Sequence, residues 1–151
     1  MTEKANFKFP KEKRLHHRSL VEGLFRLGKS FYEFPFRVTF RSMTPQEMEK
    51  NFRNSVPDGI AKVQVMVTVP KKKRRKAVDR VLMRRRIRES YRLNHHELEE
   101  VAAQNPEIRT LSIAFVFIHD KNIPYQGVET KMKKAISRIK TEISLNTEKL
   151  Q

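Results

Sequence analysis

Apolar positions recur along the chain with three spacings, and each spacing predicts a different element. In residues 19–28, Leu20, Leu24 and Leu27 follow a helical period with Val21 and Phe25 beside them. Ser19 stands where an N-cap would, Glu22 completes a capping box, and Gly28 is placed to end the helix. Residues 34–41 alternate instead. Phe34, Phe36, Val38 and Phe40 point one way, which predicts a strand with one buried face and Pro35 near its start. Residues 60–70 repeat that alternation through Val63, Val65, Val67 and Val69. Residues 110–118 are apolar at nearly every position, which predicts a strand covered on both faces. Between and after these strands, helical periodicity predicts long helices over 77–100 and 128–145, the second with a stripe of Met132, Ile136, Ile139 and Ile143. Residues 42–59 read as a polar connection ending in a Pro57-Asp58-Gly59 turn. Three strands are clear; a fourth would have to come from 42–58. These boundaries predict one domain over 14–145, with a flexible segment at 1–13 and a frayed tail at 146–151.

Composition narrows the chemistry. The chain has 151 residues and no cysteine, which excludes a disulfide framework, a thiolate zinc site and a cysteine nucleophile. No apolar run approaches the roughly 20 residues of a bilayer span. The first residues, MTEKANFKFPKEKRLHHR, lack the apolar core of a signal peptide. A soluble cytoplasmic protein is the expectation. His16-His17 and His95-His96 are adjacent pairs and His119 follows a strand, which predicts surface histidines rather than a metal site. No cluster of carboxylates has the spacing of a two-metal nuclease.

Charge changes the picture most. Lys+Arg is 33 against Asp+Glu 17, a net charge of +16. Residues 71–92 hold 12 basic and 2 acidic groups, so +10 of that total lies in 22 residues. Such crowding costs self-repulsion, which a bound phosphate backbone relieves through counterion release. The crowding sits at a junction, KKKRRK after the second strand and then the helix from Ala77. At about 100° per residue, Arg84, Arg85, Arg88 and Arg92 share one arc with Val81, while Met83, Ile87 and Tyr91 form the packed side. Arg80 falls between the two. One apolar side and one guanidinium side is the form expected of a helix laid on nucleic-acid phosphates, where the planar arginine fork suits phosphate oxygens.

Residues 77–89, AVDRVLMRRRIRE, resemble the arginine-rich signature helix of the bacterial ribonuclease P protein component. That family reads Ala-Val, any residue, Arg-Asn-Arg, any residue, Lys-Arg, two residues, Arg-Glu. Ala77, Val78, Arg80, Arg85, Arg88 and Glu89 match, Arg84 stands for the lysine, and Val81 and Leu82 replace the central Asn and second Arg. VTVPKKKRRKAV is similar to the strand and lysine pair before the signature, and Arg14, Leu15, Phe25 and Gly28 fill the places of the family's opening helix.

The resemblance implies an α/β (α+β) two-layer sandwich: about four strands in one sheet, three helices packed on it, and a left-handed βαβ crossover. It implies a protein subunit that binds ribonuclease P RNA and precursor tRNA without breaking bonds itself, holding no catalytic residue, metal or cofactor; magnesium belongs to the RNA subunit. Carried onto this chain, the RNA contacts are Arg80, Arg84, Arg85, Arg88, Arg92, Lys72, Lys73, Arg75 and Arg14. The contacts to the 5′ leader are Val21, Phe25, Phe36 and Thr39, although Phe25 and Phe36 fit an ordinary core equally well. It further implies a monomer before assembly, with no membrane and no DNA partner. A ribosomal or other structural RNA-binding protein, a stand-alone nuclease and a DNA-binding protein remain open as rivals on charge alone.

Overall fold

The computed structural model describes residues 9–150; most of the expected flexible segment 1–13, namely 1–8, lies outside them. After a short 3-10 turn at Lys11–Lys13 come α1 (Arg18–Leu27), β1 (Lys29–Glu33), β2 (Phe36–Met43), α2 (Pro45–Asn51), β3 (Val63–Thr68), α3 (Ala77–Asn94), α4 (His96–Ala103), β4 (Thr110–Phe117) and α5 (Tyr125–Leu150). The sheet order is β1-β2-β4-β3, antiparallel except for the parallel pair β3–β4. That parallel pair is joined through α3 and α4, the βαβ unit the family resemblance implies.

The fourth strand is β1, not a segment of 42–58. Only its Phe31 is buried, so Lys29–Glu33 carries almost no alternation, and it is held by its ladder to β2 across a turn at Phe34 and Pro35. The polar stretch 42–58 instead holds α2, capped by a true capping box: Thr44 accepts from the Glu47 N–H and Glu47 accepts from the Thr44 N–H, with Pro45 at the first position. The capping box expected at Ser19 is absent. The N-cap of α1 is His17; Ser19 lies inside the helix and accepts from Asn51 of α2, while Glu22 pairs with Arg18. Gly28 does end α1. An added Cβ there would lie 2.5 Å from the Leu24 carbonyl and 2.9 Å from that of Phe40, so the close approach of helix and strand requires glycine.

Strand alternation divides the core between the two faces of the sheet. Phe36, Val38 and Phe40 of β2, Val63 and Val65 of β3, and Ile113, Phe115 and Phe117 of β4 point toward Met83, Ile87 and Tyr91 of α3, with Leu98 of α4 and Met132, Ile136 and Ile139 of α5. The opposite face carries a smaller cluster: Leu20 and Leu24 of α1, Met48 of α2, Met43 and Ala114. Among the described residues five α-helices thus stand where three were expected, distributed over both faces.

The helix expected over 77–100 is two helices, broken at His95. Its imidazole is buried and stacks on Tyr91 at 5.1 Å. Nδ1 faces the Arg92 carbonyl at 2.8 Å and so must donate, which leaves Nε2 to accept from Lys13 Nζ at 3.4 Å. Lys13 also pairs with Glu99 at 2.9 Å. The bend lets Leu98 and Ala102 reach the core, and it ties residues 9–15 to the molecule. There Phe9 meets Tyr91 edge-on, the Leu15 N–H donates to the Val65 carbonyl, and Gln64 donates to the Glu12 carbonyl, so the chain covers the open edge of β3. At the other end α5 runs on through 146–150.

Burial, ahead of the neighbouring Lys13 and His96 charges, lowers the His95 pKa below its ordinary value near 6.5, although Glu99 pulls the other way. The unfolded chain therefore takes the proton first as pH falls. The His95 contribution is complete above about pH 6.5 and diminishes progressively below it. Urea unfolding at pH 7.5 and 5.5 should show a smaller loss of stability for His95→Gln than for the natural chain. Equal losses would contradict a buried neutral imidazole.

Candidate nucleic-acid interface

Burial of Met83, Ile87 and Tyr91 fixes the rotation of α3, and the opposite side faces out. Arg85 and Arg88 are exposed there and Arg84 is half-buried. Arg14 joins them from the edge of β3: desolvation first, then the charges of Arg84 and Arg14, lower the Arg88 pKa. Three guanidiniums from two distant segments therefore share one field. Arg14 Nε is braced by the Phe9 carbonyl at 3.2 Å. Lys72, Lys73 and Arg75 lie in the turn before the helix, Lys72 and Arg75 exposed and Lys73 half-buried. Among the described residues, none of these seven cations forms an ion pair with an acid.

Two expected RNA contacts are engaged within the chain itself. Arg80 Nη1 turns back to donate to the carbonyls of Arg74 and Arg75, at 3.0 and 2.8 Å, and so closes the basic turn rather than facing out. Arg92 is paired with Glu89 one turn earlier, which raises its pKa. Arg74 and Arg86 are structural too. Arg74 pairs with Asp79 at 3.0 Å and donates to the Asp120 carbonyl and to Asn122, while Arg86 donates to the Ile123 carbonyl at 2.6 Å. Together they clamp the 120–123 loop against the start of α3. The two acids within 71–92, Asp79 and Glu89, are thus each consumed by one arginine, and the outer array is left unneutralised.

The four residues carried over for the leader do not stay together. Phe36 is 0% exposed and packs on Phe115 at 5.8 Å, on the sheet face away from α1, so its ring is out of reach of a ligand. Thr39 is on the α1 side but only 2% exposed, its hydroxyl bonded to that of Ser30 at 2.8 Å. Val21 packs partly into the small cluster. Phe25, one turn further on, is 46% exposed. Alternation along β2 puts Arg37 and Arg41 on this same face, and β-pairing sets Arg37 opposite the exposed Tyr32 and beside Val116 of β4. The Arg41 guanidinium lies directly against Gly23 of α1, where an added Cβ would displace it. Arg37 and Arg41 are the charged positions of the FPFRVTFR alternation, a signal present in the sequence but overshadowed there by the phenylalanines.

One group of metal-type donors exists among the described residues. Ligand atoms of His95, His96 and Glu99 lie within 4.8 Å of one another. The Lys13 ammonium stands against two of these three residues and supplies positive charge there.

The sequence model of the family described as ribonuclease P matches residues 9–140. A ribonuclease P protein component of Porphyromonas gingivalis is 33% identical over 139 residues, covering 92% of this chain and 91% of that protein. Two solved structures share the fold. The Staphylococcus aureus RNase P protein superposes with a TM-score of 0.57 at 16% identity, covering 84% of this chain and 94% of that one. The Thermotoga maritima RNase P protein gives 0.56 at 22% identity, covering 83% and 96%. With sequence match, curated relative and fold in agreement over nearly its whole length, the chain belongs to the ribonuclease P protein family.

Proposed function

We propose that Arg84, Arg85, Arg88 and Arg14, with Lys72, Lys73 and Arg75, hold phosphates of ribonuclease P RNA, and that the α1 side of the sheet holds the 5′ leader of precursor tRNA. As a ribonuclease P protein component, the chain is a subunit of the endoribonuclease that frees the mature 5′ end of tRNA. The observation that carries the interface reading is the unneutralised guanidinium field on α3, opposite a buried apolar side. Each phosphate held there releases condensed counterions, so affinity for RNA falls with salt. On the leader side, Phe25 offers an exposed ring for an unpaired base and Arg37 a cation for its phosphate; Arg37 takes the part expected of the buried Phe36 and Thr39.

In this reading bond cleavage and its magnesium belong to the RNA subunit. The protein contributes no catalytic residue and no metal of its own, and works as a monomer in the cytoplasm before assembly. No helix among the described residues is long and apolar enough to cross a membrane.

Reconstitution tests the assignment. At low magnesium, a bacterial ribonuclease P RNA and precursor tRNA should give mature 5′ ends only when this protein is added; cleavage by the protein alone, or no effect of adding it, would contradict the reading. Replacing Arg84, Arg85 and Arg88 together by Gln should weaken RNA binding and flatten the slope of log K against log salt by about 0.7–0.9 for each phosphate no longer held. An unchanged slope would show a merely solvated helix face. Phe25→Ala should weaken binding of precursor tRNA to the holoenzyme by about 1–3 kcal/mol, the range for one base–aromatic stack, and leave leaderless tRNA unaffected.

A further inference from the structure

Two valines interrupt the cationic surface of α3. Val78 is 71% exposed and Val81 45% exposed. Three residues apart, they are neighbours on one flank, about 4.5 Å apart along the axis. Lys76 precedes them, and Arg84 and Arg85 follow one turn after Val81. Single exposed apolar side chains are ordinary. An adjacent pair at the start of the most cationic segment is different, because β-branched residues favour neither helix nor solubility there and dilute the field that attracts phosphate. The side chains that bury α3, Met83, Ile87 and Tyr91, lie on its other side.

We infer that Val78 and Val81 form an apolar seat for one unpaired nucleobase of the RNA whose phosphates the flanking cations hold. The inference rests on the reading of α3 as the RNA face and adds to it a preference for a particular RNA feature. The surrounding charge commits the occupant to a polyanion. It also opposes a second copy of this chain, since +10 in residues 71–92 would meet +10. A regular A-form duplex presents phosphates and 2′-hydroxyls to a helix lying across it and leaves the valines facing polar groups. An unpaired base offers the apolar surface that RNA otherwise hides in its stacks. The valine pair thus selects a bulge or loop over continuous duplex, and the arginines beside it fix the backbone on either side.

The test uses the full chain and a bacterial ribonuclease P RNA transcript. The V78S/V81S variant should raise Kd about tenfold, the factor expected for burial of roughly one valine side chain, at every salt concentration and with an unchanged salt slope. Chemical probing of base edges should show that one or a few unpaired nucleotides become reactive while backbone protection persists. V78T/V81T keeps the side-chain shape and should lower affinity by a smaller factor at an unaltered melting midpoint. A Kd within twofold of the natural chain for V78S/V81S overturns the inference. So does a weakening confined to the serine variant and matched by a lower melting midpoint, or a loss of self-association with RNA binding intact. Failure of the underlying reading is distinct: the natural chain would then show no salt-dependent RNA binding at all.

Discussion

The rotation of α3 about its own axis is the constraint on which the rest of the molecule depends. Met83, Ile87 and Tyr91 are all but inaccessible to solvent and lie against the large aromatic face of the sheet. Turning the helix by even a quarter-turn would drive a guanidinium into that core, a desolvation cost of several kcal/mol for an unpaired charge. The hydrophobic side therefore dictates where the charged side points. The parallel placement of β3 beside β4 then sets where it begins, because the chain must leave β3, make the basic turn and enter α3 at Ala77.

Six arginines of this region divide into two groups that composition cannot tell apart. Arg74, Arg80 and Arg86 face backbone carbonyls and make the turn and the 120–123 loop a rigid unit. Arg84, Arg85 and Arg88 meet no acid among the described residues and lie on the outer side. The inner group makes the outer one possible, since an array of like charges keeps its geometry only if the backbone beneath it is held. The N-terminal segment serves the same end from the opposite side: the Lys13–Glu99 pair and the packing of Phe9 on Tyr91 bring Arg14 to the array.

How much of this the sequence discloses depends on how much each element buries. β4 and α3 bury whole faces, so their periodicities are plain in the residues. β1 buries only Phe31 and α2 only Met48, and an element with one buried residue has no period to read. The α2 helix still announced itself chemically, through Thr44, Pro45 and Glu47, a clearer capping signature than the one at Ser19 and Glu22 that the chain does not use. The break at His95 is a tertiary matter, because a helical pattern runs through it unchanged and only the demand that Leu98 reach the core bends the chain. The interface divides in the same way. The arginine arc follows from spacing, whereas the inward turn of Arg80, the pairing of Arg92 and the burial of Phe36 depend on how the folded chain packs around them.

A chain without cysteine allows the central claim to be measured directly, because one introduced thiol is unique. A hydroxyl-radical-generating probe tethered at Ala77→Cys, exposed at the start of α3, is compared with one at Lys134→Cys, exposed on α5. Both are assembled with ribonuclease P RNA. The account predicts strong, localised RNA cleavage from position 77 and little from position 134. Strong cleavage from 134 with none from 77 would mean that the RNA lies over α5 and not over the arginine face of α3.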